Sequence, residues 1–128
     1  MGWDLGSVPD PQDPATFERS KLDWSEGAEG RHAVLLSVYR SLAVLRRELP
    51  SLTDPAMTST RCSFDEDARW FVMRRGDVAV VVNFGDSPVQ VDLGAPHVIR
   101  WATPSGGSVS GRTVTLPPHA GALLLPLP

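Results

Sequence analysis

The sequence predicts a mainly β protein with one long α-helix: an antiparallel β-sandwich of about seven short strands, preceded by a loop and that helix. Three observations carry this reading. Between Glu29 and Leu49, apolar residues recur at helical spacing. After Asp54 the period shortens to runs of β-branched and aromatic residues separated by turn chemistry. The 12 prolines and 11 glycines cluster at segment junctions, which a chain of short strands and tight turns requires.

Residues 1–13 read as irregular loop, with Gly2, Gly6, Pro9 and Pro11 opposing any regular element. Asp13-Pro14 then supplies an N-cap followed by proline at the first helical position, predicting a short helix from Pro14 to about Ser20. "EGAEG" (Glu26 to Gly30) breaks the chain again, and Glu26 and Glu29 suit the positive end of a following helix. In the long helix, Leu35, Val38, Leu42, Leu45 and Leu49 share one face, while Val34, Leu36, Tyr39 and Ala43 widen it. The resulting apolar arc covers roughly half the circumference, whereas a surface helix needs a stripe of only ~100°. Pro50 disfavours helical geometry before it and ends the helix near Leu49.

Strands are expected at Arg61–Phe64, Trp70–Arg74, Val78–Phe84, Pro88–Leu93, Val98–Ala102, Val109–Leu116 and Ala120–Leu125. "RRGD" reads as a tight hairpin and "PSGGSVSG" as a hairpin loop. "VAVVVNF" and "GALLLPL" are near-continuous apolar runs, expected for central strands covered on both faces. The domain division is 1–50 for loop and helix and 51–128 for the sandwich.

Composition excludes several classes. At 41% apolar and 21% charged the chain can bury a modest core. A net charge of −3 leaves no electrostatic footprint for nucleic acid or an anionic membrane. No apolar run approaches ~18 residues, which excludes a transmembrane helix. The N-terminus has neither a basic leader nor an apolar stretch, and Cys62 is the single cysteine, so a reducing cytoplasm is the expected location.

The residues that carry chemistry are sparse. His32, His97 and His119 lack partners at ligand spacing and read as structural or solvent-exposed, so a zinc site is not expected. Cys62 alternates with Phe64 in a strand and reads as a buried small hydrophobe. "DEDA" (Asp65 to Ala68) reads as a solvated turn. No nucleophile elbow, phosphate-cradling loop or HExxH motif is present. Asp13 is accounted for by capping, but Asp10 and Gln12 have no evident structural duty. Trp70 and Trp101 lie in strands and read as core, while Trp3 and Trp24 flank the opening loop and read as edge contacts. On spacing alone, this is a helix and a β-sandwich without an active site.

"VPDPQDPATFERSKLDW" (Val8 to Trp24) closely resembles a stretch of the malto-oligosyltrehalose trehalohydrolases of the α-amylase superfamily of glycoside hydrolases. "GWD" (Gly2 to Asp4), the helix "HAVLLSVYRSLAVLRRELPSL" and the strand "VAVVVNFG" resemble that family in the same order. The resemblance runs essentially end to end, and its first motif is the most specific. It implies the final loop and last helix of a (β/α)₈ barrel, followed by a C-terminal β-sandwich. Met1 stands where the family chain continues, so a C-terminal piece is implied.

The implied parent reaction is release of trehalose from maltooligosyl trehalose by α-1,4 cleavage, without a cofactor. A retaining glycosidase needs two carboxyl groups ~5 Å apart. In the family these lie on earlier barrel strands, and no residue here matches their motifs. The chain alone is therefore expected to be inactive, with a supporting role, and the missing barrel is expected to pack on the long helix. The opening motif would lie at the barrel's C-terminal end, where such active sites are built, and the resemblance thereby makes Asp10 and Gln12, in that motif and without a capping role, the candidate substrate-binding residues. A stand-alone carbohydrate-binding module is the alternative, which exposed Trp70 or Trp101 beside another ring would favour. Self-association through the helix is expected if the chain is isolated.

Overall fold

A computed structural model of the chain describes residues 9–127. Trp3 and the Gly2 to Asp4 stretch lie outside the described residues. The chain divides into two compact units, through Tyr39 and from Arg40 onward.

In the first unit, α1 (Pro14–Ser20) forms where expected. Asp13 takes extended backbone geometry and its carboxylate accepts the Ala15 N–H at 2.9 Å. A 3₁₀ turn, Trp24–Ala28, follows where the sequence reading had only the start of a break. Asp23 caps it, accepting the Ser25 N–H at 2.9 Å. Gly30 takes φ of 55°, a left-handed geometry that glycine reaches without a Cβ penalty, and α2 (Gly30–Glu48) begins there.

From Arg40 onward the remainder of α2 leads into β1 (Thr60–Asp65), β2 (Trp70–Arg75), β3 (Val78–Asn83), β4 (Val89–Asp92), β5 (His97–Ala102), β6 (Ser108–Ser110), β7 (Thr113–Leu116) and β8 (Gly121–Pro126). These form two antiparallel sheets, a five-stranded one in the order β1-β2-β3-β8-β5 and a three-stranded one in the order β4-β7-β6. The architecture is the expected β-sandwich after a helix. One strand was missed: the run from Val109 to Leu116 is two strands, not one. Gly111, at φ of 59°, lets the chain reverse, so Val109 pairs with Val114 across a hairpin. Ser108–Ser110, which had read as part of a loop, is thereby recruited as β6.

The five-stranded sheet is covered on both faces near its centre. Alternation sends Ala79 and Val81 of β3, with Ala122 and Leu124 of β8, into the core shared with Val91, Val114 and Leu116. Val78 and Leu123 point the other way and close over Leu45 of α2, with Leu49, Val80, Trp101 and Leu125 at the margin. The apolar runs of β3 and β8 are continuous because each serves two clusters. Asn83 ends β3 as a buried polar hub. Its amide donates to the carbonyls of Ser87 at 2.9 Å, Leu116 at 3.3 Å and Pro117 at 2.9 Å, and its Oδ1 accepts the Gly85 N–H at 2.8 Å. The two amide protons are shared among three carbonyls, Leu116 being the longest contact, so one side chain serves four backbone groups at the end of the sandwich.

Cys62 departs from expectation. It is exposed, because β1 is an edge strand and none of the described residues covers it there, Leu45 reaching only Val78 and Leu123 farther into the sheet.

Candidate functional site

The segment from Pro9 to Trp24 is a chain of side-chain-capped turns. The Asp10 carboxylate accepts the Gln12 N–H at 2.9 Å, and the Asp10 carbonyl accepts the Asp13 N–H at 3.2 Å. Asp13 then starts α1. Glu18 holds Lys21 at 2.8 Å, and the Lys21 ammonium lies 4.7 Å from the centre of the Phe17 ring. Asp23 accepts from both the N–H and the hydroxyl of Ser25, which holds its carboxyl below the ordinary carboxylate value. Local hydrogen bonds of this kind shape the segment without a core of its own: no residue of α1 or of the 3₁₀ turn is buried.

The two candidate substrate-binding residues are therefore adjacent and exposed but do different things. Asp10 has a structural duty that sequence spacing did not reveal, since its carboxylate fixes the turn that presents Gln12. The Gln12 amide itself has no partner among the described residues. Later in the same segment Phe17 is 64% exposed, Leu22 74% and Trp24 86%. An exposed amide and aromatic rings on a braced loop can hydrogen-bond a hydroxyl-rich ligand and stack on its apolar faces. They cannot by themselves break a glycosidic bond, which needs a fixed pair of carboxyl groups.

The face of α2 expected to need a partner is largely uncovered. Leu45 is the one buried residue of the helix, while Val34, Leu35, Leu36, Tyr39, Leu42 and Val44 are exposed. Trp70 packs against the inner core and Trp101 against the cluster around Leu45, so neither indole is presented as a sugar platform.

A polar cluster that the sequence reading missed lies at the end of the sandwich. Asp86 receives Arg69 Nη1 at 3.2 Å and meets His119 Nε2 at 3.0 Å. Arg69 and His119 are the two non-glycine residues with positive φ among the described residues, at 55° and 52°. Their signal in the sequence was weak: "DEDA", just before Arg69, read only as a solvated turn, and His119 only as structural or solvent-exposed. All three side chains are well exposed, so the pairings carry little energy. Among the described residues no group of three or more His, Cys, Asp or Glu is placed to hold a metal ion, and no helix is long and apolar enough to cross a membrane.

Comparison with known proteins bears on the fold and on the opening segment together. Residues 55–123, more than half of the chain and nearly all of the sandwich, match the family described as "Domain of unknown function (DUF3459)". The chain is 48% identical over 124 residues to a malto-oligosyltrehalose trehalohydrolase of Rhizobium sp. (strain M-11), and 48% identical over 124 residues to one of Brevibacterium helvolum. Each alignment takes in 97% of this chain and 21% of the relative. A third such protein, from Arthrobacter ramosus, is 50% identical over 108 residues, 84% of this chain and 18% of its own length. The chain thus spans about a fifth of the curated relatives it matches, with the opening segment, α2 and the sandwich aligned as one continuous stretch. It belongs to the DUF3459 family, in the form that trehalohydrolases carry as a C-terminal part.

Proposed function

We propose that this chain is the C-terminal, supporting part of a glycoside hydrolase that releases trehalose from maltooligosyl trehalose by α-1,4 cleavage. Residues 1–50 supply the last loop and helix of a catalytic barrel, and residues 51–128 a sandwich that braces it. The catalytic carboxylates belong to the part of the enzyme outside this chain, which packs on α2. The observation that carries the reading is the pairing of near-complete alignment, 97% of the chain, with a helix whose only buried side chain is Leu45. A helix built for a surface would not carry Val34, Leu35, Leu36, Tyr39 and Leu42 into water. The enzyme works in the cytoplasm, in keeping with one unpaired cysteine.

In this reading the opening segment borders the substrate, with Asp10 shaping the turn and Gln12 offering its amide to a sugar hydroxyl. The test is kinetic, in a trehalohydrolase whose last fifth is replaced by this chain. Gln12→Ala is expected to lower kcat/KM about tenfold, near 1.4 kcal/mol of transition-state stabilisation. Asp10→Asn, which keeps an acceptor for the Gln12 N–H, should cost less than Asp10→Ala. Unchanged kcat and KM in both alanine variants would remove these residues from the site. Turnover by the chain alone, abolished by mutating one of its own carboxylates, would overturn the supporting role.

A further inference from the structure

At one end of the sandwich three connections meet: residues 66–69 before β2, residues 84–88 after β3 and residues 117–120 before β8. Their backbones are tied together. The Phe84 N–H donates to the Arg69 carbonyl at 2.8 Å, and the Asn83 amide reaches the carbonyls of Ser87 and Pro117 from within the core. A Cβ on Gly85 would lie 3.5 Å from that of Arg69, so the first two connections approach to van der Waals distance. On this fixed base Arg69 and His119 take left-handed geometry, which residues with a Cβ adopt only at a cost in free energy. Both converge on Asp86, Arg69 on one carboxylate oxygen and His119 on the other. An open cavity of about 400 Å³ adjoins them, lined by Asp67, Arg69, Asp86, Ser87, Pro88 and Val89. The Asp67 carboxylate and the Ser87 hydroxyl have no partner among the described residues.

We propose that this loop end is a carbohydrate-binding site for a neutral, hydroxyl-rich sugar chain, additional to the opening segment and independent of the reaction assigned above. The charge balance selects the ligand class. Arg69 and His119 offer donors, Asp67 and Asp86 acceptors, and Ser87 either. Two carboxylates beside one guanidinium disfavour a phosphate or carboxylate ligand, and the guanidinium on Asp86 disfavours a bare cation. Neighbouring hydroxyls of a sugar ring donate and accept at once, which suits planar carboxylate and guanidinium groups side by side. Pro88 and Val89 add an apolar wall for the C–H face of the ring, and the volume falls within the ~300–1,000 Å³ of small-molecule sites. Neither Arg69 nor His119 packs in a core, and their exposed pairings are worth little, so the left-handed geometry serves presentation of the side chains. A backbone fixed before binding keeps the ordering cost low, and side chains in water can exchange weak surface pairings for sugar hydroxyls.

The test is binding to the chain itself, read by amide-resolved NMR titration with maltoheptaose, cellohexaose and trehalose. Arg69→Gly is the informative variant, because glycine keeps the left-handed backbone while the guanidinium is removed. The amides of Ala68, Arg69, Gly85, Asp86 and Ser87 should shift to saturation with at least one of these sugars. Arg69→Gly and Asp86→Ala should each weaken that binding about tenfold or more while the variants stay folded. Gln12→Ala should leave these shifts intact, which separates the site from the opening segment. The sugar that saturates the shifts identifies the chain bound: an α-glucan for maltoheptaose, a β-glucan for cellohexaose, a non-reducing disaccharide for trehalose. Shifts confined to the opening segment, no saturable shift with any of the sugars, or equal affinity in wild type and both loop variants would each overturn the site. Saturation by inorganic phosphate without a response to sugar would overturn it as well, by making the cluster an anion site. None of these results depends on trehalose release.

Discussion

Replacing Leu45 by alanine should show how α2 is held. Leu45 is 5% exposed and is the only buried residue of α2, closing with Val78 and Leu123 a small cluster on the outer sheet face. Leucine-to-alanine changes in cores cost about 2–5 kcal/mol through lost transfer energy and the cavity left behind. Here Leu49, Leu52, Val80, Trp101 and Leu125 are only partly buried, so the site can relax or admit water, which places the cost near the lower end. A loss of about 2–3 kcal/mol, set against about 5–15 kcal/mol for a typical domain, should lower the melting midpoint by about 10 °C or more. The assay is urea and thermal unfolding at low micromolar concentration, beside Leu35→Ala as the exposed control. Leu35 is 56% exposed and should cost no more than about 0.5 kcal/mol. Equal effects of the two variants, or a Leu45→Ala cost below about 0.5 kcal/mol, would refute the idea that the helix is anchored through this one side chain.

Other outcomes follow from the same structure. Asn83→Leu strips three carbonyls and one N–H of their shared partner and should destabilise by about 3 kcal/mol, read by chemical denaturation. Asp92 has its carboxyl held below the ordinary value, first by the Gly94 N–H and then by Arg112 at 2.6 Å. A lowered folded pKa contributes stability above the unfolded value of about 3.9 and loses it as pH falls through the folded value. Asp92→Asn should therefore flatten the acid limb of the stability–pH curve below about pH 4; an unchanged limb would exclude this linkage. The isolated chain should self-associate through α2, and Leu35→Glu with Tyr39→Glu should shift sedimentation toward the monomer. A wild-type chain that stays monomeric at high concentration would show that the strip needs no partner.

Much of this protein was legible locally. Asp13-Pro14 gave α1 to the residue, and the apolar spacing with Pro50 placed α2 within one residue at each end, because caps, prolines and helical periodicity act over a few neighbours. Continuous apolar runs likewise marked β3 and β8 as central strands. The candidate site was legible only in part. Asp10 looked idle because its work is a turn, closed two residues away by geometry that spacing does not display. Pairing across distance was settled by tertiary structure alone. β8 enters between β3 and β5, while β1 pairs with β2 alone and is therefore an edge strand that leaves Cys62 and Phe64 in water, although their alternation resembled that of a covered strand. Asp86 gathers Arg69 from 17 residues away and His119 from 33. The residue pattern determines which side chains share a face; whether that face meets a core, a helix or open water depends on what the rest of the chain, or its partner, brings against it.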